Sequence, residues 1–337
     1  MKIGFIVNSL DVKDGAGRFA FELISNFKMQ EHEVIVLDSF RNIFKNVDII
    51  HAIDGWPNGF YAVLLSLLKL KPVVITALGT YSVAPLYSVL KPFLLWTYRR
   101  AKALIAISDY TAQEINKIAP DLKIKIICPG IDLDFWNKKI ETSQDILKFK
   151  PYILSVGALK PRKGHHNSIR AFAVVAKKFE NLNYVIVGRN EDSEYAKELI
   201  DIVKENNLEN RMLFITTGVD DNKLLEFYRN AELFVLTPME ENHHFEGFGI
   251  VYLEAAASGL PIVASSDSGA ISATKGGYNS ILVPQNDPQK TADAMIKILS
   301  DEAVKIKLRN NSREWVKEFS WEKIIKKYIE IYNVKHD

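Results

Sequence analysis

Two carboxylates bracket a glycine-flanked turn in residues 245–261, FEGFGIVYLEAAASGLP. Gly247 and Gly249 let the backbone turn sharply and lie against a ligand. A helix opening there leaves the amides of Phe248, Gly249, Ile250 and Val251 as donors for a diphosphate. Glu254, one turn inside that helix, is placed to accept hydrogen bonds from sugar hydroxyls. Glu246, just before it, reaches a second ring. Amides for phosphates and carboxylates for hydroxyls describe a nucleotide-sugar site. An amphipathic helix with a loop glutamate gives the same bare spacing, so the surrounding residues must carry the reading.

In its full context the segment resembles the Glu-x7-Glu signature of retaining glycosyltransferases of the GT-B fold, most closely glycosyltransferase family 4. The resemblance covers nearly the whole chain. Gly15-Ala16-Gly17-Arg18 is similar to the family's first glycine loop, whose amides face the donor diphosphate or the transferred sugar; alone it reads equally as a strand-to-helix turn. Residues 107–111 (ISDYT) and 129–132 (PGID) match landmarks before the linker. Gly157-Ala158-Leu159-Lys160-Pro161-Arg162-Lys163-Gly164 resembles the segment that brings cations to the pyrophosphate. The resemblance makes Lys163 a stabiliser of the leaving group beside catalytic Glu246, and Arg162, at a position where the family often has glutamate, is expected to assist it as a neighbouring cation; a solvated basic loop is the plain alternative. Gly188-Arg189-Asn190 and Thr217-Gly218-Val219-Asp220 match loops near the nucleotide, the second beside the base. His51, Thr80 and Tyr81 are assigned to the acceptor side, although a hydrogen-bonded strand-end histidine also accounts for His51.

The sequence departs from the family in three places. Leu78 stands where a sugar-contacting histidine is common, and Ala158 where an arginine follows the first glycine. Residues 269–273 lack the usual glycine, proline and glutamate. No metal is expected: His243 and His244 are adjacent in one loop, and Asp132-Leu133-Asp134 falls in the linker motif.

Parallel sheets covered by helices must position these groups, because short apolar runs alternate with helical patterns throughout. The runs predict strands at 2–7, 33–37, 48–51, 72–76, 103–107 and 124–127. A second set follows at 152–156, 183–187, 212–215, 233–236, 261–264 and 281–283. The fold expected is α/β: two Rossmann-like doubly wound domains of the GT-B type, facing across a cleft. An acceptor-binding domain takes 1–135, a linker 136–150 and a donor-binding domain 151–318. A C-terminal helix over 319–337, with Ser320 as N-cap and an apolar stripe from Trp321 to Tyr332, crosses back to the first domain, as the resemblance implies.

Composition agrees with two globular domains: 337 residues, 47% hydrophobic and 25% charged. A net charge of +2 argues against nucleic acid as the main partner. Residues 1–130 carry 15 Lys and Arg against 11 Asp and Glu, so the positive excess lies in the first half. The single cysteine, Cys128, fits a reducing compartment. Neither a signal-peptide core nor a membrane-spanning segment is read, so a cytoplasmic location is expected, on the inner membrane face where a surface is involved. The expected activity is metal-independent retaining transfer of a hexose from a nucleotide diphosphate sugar, UDP favoured over GDP, to a glycan, lipid-linked or small-molecule acceptor. No cofactor is needed beyond that co-substrate. A nucleotide-sugar epimerase of similar fold and a nucleotide-sugar-binding protein without turnover are the alternatives. Residues 85–102 crowd aromatic side chains beside Lys91, Arg99, Arg100 and Lys102, with Pro92 opening a helix. That face predicts weak association with an anionic membrane surface; packing into the first core is the competing reading.

Overall fold

The computed structural model describes residues 1–12 and 14–334. Its chain separates into two compact units, described here one at a time. The first comprises Met1–Gly130, Asn242–Phe248 and Phe319 to the end; the second comprises Ile131–Glu241 and Gly249–Glu318.

In the first unit, β-rich apolar runs form β1 (Lys2–Ile6), β2 (Glu33–Val36), β3 (Ile49–Ile53), β4 (Val73–Ala77), β5 (Ala103–Ala106) and β6 (Ile124–Ile126). They pair in parallel in the order β2-β1-β3-β4-β5-β6. The connection reverses direction between β1 and β3, the switch point where open α/β sheets bind ligands beyond their carboxyl ends. Strands β3 and β4 are buried along their whole length, as expected of a sheet covered on both faces. Three helices matter below: α1 (Gly15–Met29), α2 (Phe60–Lys69) and α3 (Lys91–Arg100). Pro92 lies in the first turn of α3, as its fixed φ favours.

The second unit repeats the plan with β7 (Tyr152–Val156), β8 (Asn183–Val187), β9 (Met212–Ile215), β10 (Phe234–Leu236), β11 (Ile262–Ser265) and β12 (Ser280–Val283). The order is β12-β11-β10-β7-β8-β9, all parallel, with the switch between β7 and β10. Helices α4 (His165–Ala176), α5 (Asp221–Asn230) and α6 (Ile250–Ala257) serve its site. The two Rossmann-like sheets match the fold expected from the sequence, and each predicted strand is present within one or two residues.

The units do not divide where the sequence suggested. The break falls after Gly130, and residues 136–150, expected as a linker, pack within the second unit. Trp136 is buried with its ring 5.3 Å from that of Tyr228, and Thr142 Oγ1 lies 3.0 Å from Asn230 Nδ2. The last helix, α7 (Trp321–Asn333), belongs to the first unit, where it packs on α1. It buries Trp321, Ile324, Ile325, Tyr328 and Tyr332, and Trp321 Nε1 donates to Glu22 at 3.0 Å. Ser320 holds the N-cap position without a side-chain cap bond, so burial of the apolar stripe fixes this helix.

Candidate active site

At the β1–β3 switch point the first unit has a cavity of about 220 Å³, lined by Asn8, Ser9, Asp14, Gly17, Asp54 and Tyr81 among others. Asp14 caps α1 by accepting from the Gly17 amide at 3.3 Å. A Cβ on Gly17 would overlap the Asp11 carbonyl oxygen, so close approach of backbone demands this glycine. Gly15 has open space around it and carries no such demand. Asp54 follows β3 with φ +79°, a strained conformation for a residue with a side chain. Its Oδ1 accepts from the Gly55 amide at 2.9 Å and from Ser82 Oγ, and the Leu78 amide adds another hydrogen bond. Burial pushes its carboxyl up to about 6 in spite of those donors.

Residues 242–248 belong to the same unit. Gly247 lies so near the Leu78 carbonyl that a Cβ would collide with it, and Gly79 opposite adopts φ +133°. Thr111 Oγ1 lies 3.4 Å from the Gly247 carbonyl, and Phe245 packs its ring 5.1 Å from Tyr110. Buried Glu246 is thereby held next to the loop that leads into Thr80 and Tyr81. Phe248 is buried with its ring 6.2 Å from Phe319. His243 stacks on Tyr87 at 3.7 Å. Among the described residues no group of three His, Cys, Asp or Glu side chains is arranged to hold a metal ion.

In the second unit, the loops after β7 and β8 meet at the switch point. The Gly157 amide donates to Val187 O at 2.9 Å, and a Cβ on Gly188 would fall on the Gly157 carbonyl. A single 3₁₀ turn, Pro161–Lys163, then presents Arg162 and Lys163, and Gly164 (φ +69°) starts α4. The Met239 amide binds Arg162 O at 2.8 Å, tying this turn to the segment after β10. Lys160 and Arg189 pair with Glu191, whose own burial opposes ionisation but whose cationic neighbours, Arg162 included, hold it ionised at lower pH than usual. Three cations from the two loops, Lys160, Arg162 and Arg189, thus act on one acid, and Lys163 follows Arg162 in the same turn. Buried His165 donates from Nε2 to Gly157 O at 3.1 Å; burial lowers its basicity to about 4, so it braces the glycine loop as a neutral ring.

Helix α6 opens at Ile250 behind Gly249, which holds φ +84° and supplies no side-chain cap. Its first-turn amides thus end where an anion is favoured by the helix dipole. Glu254 is buried one turn in, and Tyr228 Oη on α5 donates to its Oε2 at 2.8 Å. Val251 is half-buried in that first turn. Thr217 and Gly218 are exposed after β9, with Gly218 at φ +79°, and Val219 is half-buried before the Asp220 cap of α5.

One assignment needs correction. His51, placed on the acceptor side from sequence, is buried in the first core: Nε2 lies 2.7 Å from Thr76 Oγ1 and Nδ1 2.6 Å from Tyr332 Oη. Desolvation lowers its pKa to about 3, so it stays neutral and structural. Tyr81 is exposed and lines the cavity, and Thr80 beside it in sequence is half-buried. The sequence reading missed Asp54, Tyr228 and His165. A polar residue directly after a buried strand was a weak signal for Asp54; nothing local marked the other two.

Residues 137–315 match the family model described as Glycosyl transferases group 1, and residues 37–135 that described as Glycosyltransferase Family 4. An uncharacterized glycosyltransferase of Methanocaldococcus jannaschii is 30% identical over 251 residues, which is 71% of this chain and 62% of the relative. The GDP-mannose-dependent alpha-(1-6)-phosphatidylinositol monomannoside mannosyltransferase of Mycobacterium tuberculosis is 24% identical across 62% of this chain and 56% of its own length. The chain thus aligns with about six tenths of these two curated relatives. Among solved structures, Anabaena HepE in complex with UDP and glucose superposes with TM-score 0.76 at 20% identity, covering 98% of both chains.

Proposed function

The chain belongs to the group 1 glycosyltransferases, and we propose that it moves a hexose from a nucleoside diphosphate donor to an acceptor hydroxyl with retention at the anomeric carbon. The observation that carries this reading is the switch point of the second sheet. The second unit there combines the cations of the loops after β7 and β8 with the uncapped start of α6, one turn inside which a buried glutamate is held by tyrosine. The donor's phosphates fit Lys163, Arg162 and the amides of Gly249, Ile250 and Val251, and Glu254 takes the ribose hydroxyls. As the bond from the anomeric carbon to the phosphate oxygen breaks, negative charge grows on the leaving diphosphate. Fixed cations and amides stabilise that charge more than they stabilise the ground state, with no metal required. To Glu246 we assign the electrostatic role of offsetting the positive charge that develops on the sugar ring. The acceptor oxygen bonds to the anomeric carbon, and its proton passes to the leaving phosphate.

UDP is the donor nucleotide we favour, supported by the complex of HepE with UDP and glucose; the GDP-mannose-dependent relative keeps guanosine as the second choice. The acceptor occupies the first unit's cavity beside Asp54 and Tyr81, and a lipid-linked or envelope acceptor suits association with an anionic membrane. A reducing, cytoplasmic setting is the one we favour, supported by the presence of a single cysteine, Cys128. The family match does not favour the epimerase or binding-only readings.

Thermal shift against UDP, GDP and their sugars, followed by release assays and NMR of the product's anomeric configuration, tests the proposal. A stabilising donor that is turned over with retained configuration is expected. No stabilisation by any nucleotide sugar, or an inverted product, would overturn it.

A further inference from the structure

Helices α2 and α3 give the first unit an outward face of unusual composition. α2 reads FYAVLLSLLK; Ala62 and Val63 turn inward, whereas Tyr61, Leu64, Leu67 and Leu68 are exposed. With half-buried Phe60 these fill one arc of roughly a third of the helix circumference, with no charged residue in it and the Tyr61 hydroxyl as its one polar group. Leu68 is 84% exposed, and Leu70, left-handed at the end of the helix, 88%. The face continues onto α3, because Phe60 lies 6.1 Å from Phe93 and 6.0 Å from Trp96. Phe93 is itself 51% exposed. Amphipathic helices normally put such residues inward, and contiguous apolar surface of this kind marks a contact site.

Charge identifies the occupant. Residues 55–108 contain no Asp or Glu but carry Lys69, Lys71, Lys91, Arg99, Arg100 and Lys102. Arg100 lies over the Trp96 ring at 5.7 Å, and Lys91 is exposed in the first turn of α3. Arg99 is compensated by Asp121 at 3.0 Å. Beyond Leu67 and Leu70 the surface dips into a groove of about 640 Å³, where Lys71 and Lys102 meet Val334. A second copy on a two-fold axis would set like charges against each other at the rim, which opposes self-association. An anionic lipid surface supplies the opposite sign along with an apolar layer.

We infer that the α2–α3 face docks on an anionic bilayer, with Leu64, Leu67, Leu68 and Phe93 at the acyl boundary and Lys71, Lys91 and Arg100 on lipid phosphates. The inference deepens the proposed action on a membrane-presented acceptor, while its residues belong to the first unit and those of the proposed donor site to the second. Aromatic rings at headgroup depth and cations at the rim are the arrangement by which a helix lies in an interface.

The test is co-sedimentation of the full chain with vesicles of phosphatidylglycerol and phosphatidylcholine in equal amounts, and of phosphatidylcholine alone. Pelleting with the anionic vesicles at low salt, lost at high salt, is expected. Lys91→Glu with Arg100→Glu should weaken it by tenfold or more, at roughly fivefold per cation removed. Leu64→Glu with Leu68→Glu should abolish it. Both variants alter exposed side chains, so unchanged nucleotide-sugar stabilisation and melting temperature establish that they fold. Failure of the parent protein to pellet, or pelleting untouched by either variant, would overturn the inference while leaving the donor site intact. A concentration-dependent dimer that the leucine changes dissolve would also overturn it, in favour of a second copy.

Discussion

At the scale of single residues, the proposed donor site depends on a few charges. Lys163 projects from the 3₁₀ turn after β7, and a charge-assisted hydrogen bond to phosphate contributes about 1.5–3 kcal/mol. Lys163→Ala should therefore weaken UDP binding roughly ten- to a hundredfold by calorimetry, with Arg162→Ala following in the same direction to a smaller extent. Unchanged affinity in Lys163→Ala would displace the phosphate from this loop. The two glutamates should part company. Glu254 is buried and oriented by Tyr228, so Glu254→Gln and Tyr228→Phe should both weaken bare UDP. Glu246→Gln should spare UDP affinity and cut transfer by about a hundredfold, as loss of a transition-state contact does. Equal effects on bare-nucleotide binding would refute that division. Asp54 carries a prediction about pH. Its carboxyl is raised by burial from an ordinary 3.8 to about 6, so the folded protein binds that proton more tightly than the unfolded chain does. The resulting stability is complete below about pH 4 and disappears as pH rises through 6, a swing on the order of 3 kcal/mol. Denaturant titrations should show Asp54→Asn gaining on the parent by that amount between pH 4 and 7; a constant difference across the range would contradict the burial argument.

Among elements, the glycine loops divide into those that are forced and those that are not. Gly17 has the Asp11 carbonyl where a Cβ would sit, whereas Gly15, two residues earlier, faces open space. Gly17→Ala should lose about 1–3 kcal/mol as the α1 start is pushed away, and Gly15→Ala should be neutral or slightly stabilising. Equal melting temperatures for the two variants would show that the loop accommodates a methyl freely. Sequence spacing alone gave both glycines the same role, since GAG shows a turn and not which atom crowds it. The strands were legible because each is a short apolar run between turn residues, a pattern set by burial on both faces. Helix α6 was legible through its glycine entry and small residues. The membership of residues 242–248 in the first unit was not, because Gly247 meets Leu78 across a gap of more than 160 residues and no local pattern encodes that contact. His51 was misplaced for a related reason. Its burial is completed by Tyr332, far away in the chain.

For the whole molecule, the chain order sets a dependence between its ends. The first unit is built from the opening 130 residues, yet its core is closed by α7, which arrives only after the second unit is complete. Five large side chains of α7 are buried there: Trp321, Ile324, Ile325, Tyr328 and Tyr332. Loss of one such side chain costs about 2–5 kcal/mol, so loss of all five, about 10–25 kcal/mol, matches or exceeds the 5–15 kcal/mol that holds a typical domain together. The second unit retains its own core, which draws on α4, β8, β11 and the helix Pro288–Ser300 and contains nothing from α7. Ending the chain after Glu318 should thus abolish the first unit's cooperative melting transition while leaving that of the second. Calorimetry should then show one transition in place of two, with UDP still raising the one that remains, because Lys163, Gly249 and Glu254 all belong to the second unit. Milder evidence should come from Tyr332→Phe, which removes the partner of a buried imidazole nitrogen and should cost about 1–3 kcal/mol. If the truncated chain kept both transitions, α7 would be an ornament on the first unit; if it lost both, the second unit would depend on the first for its folding.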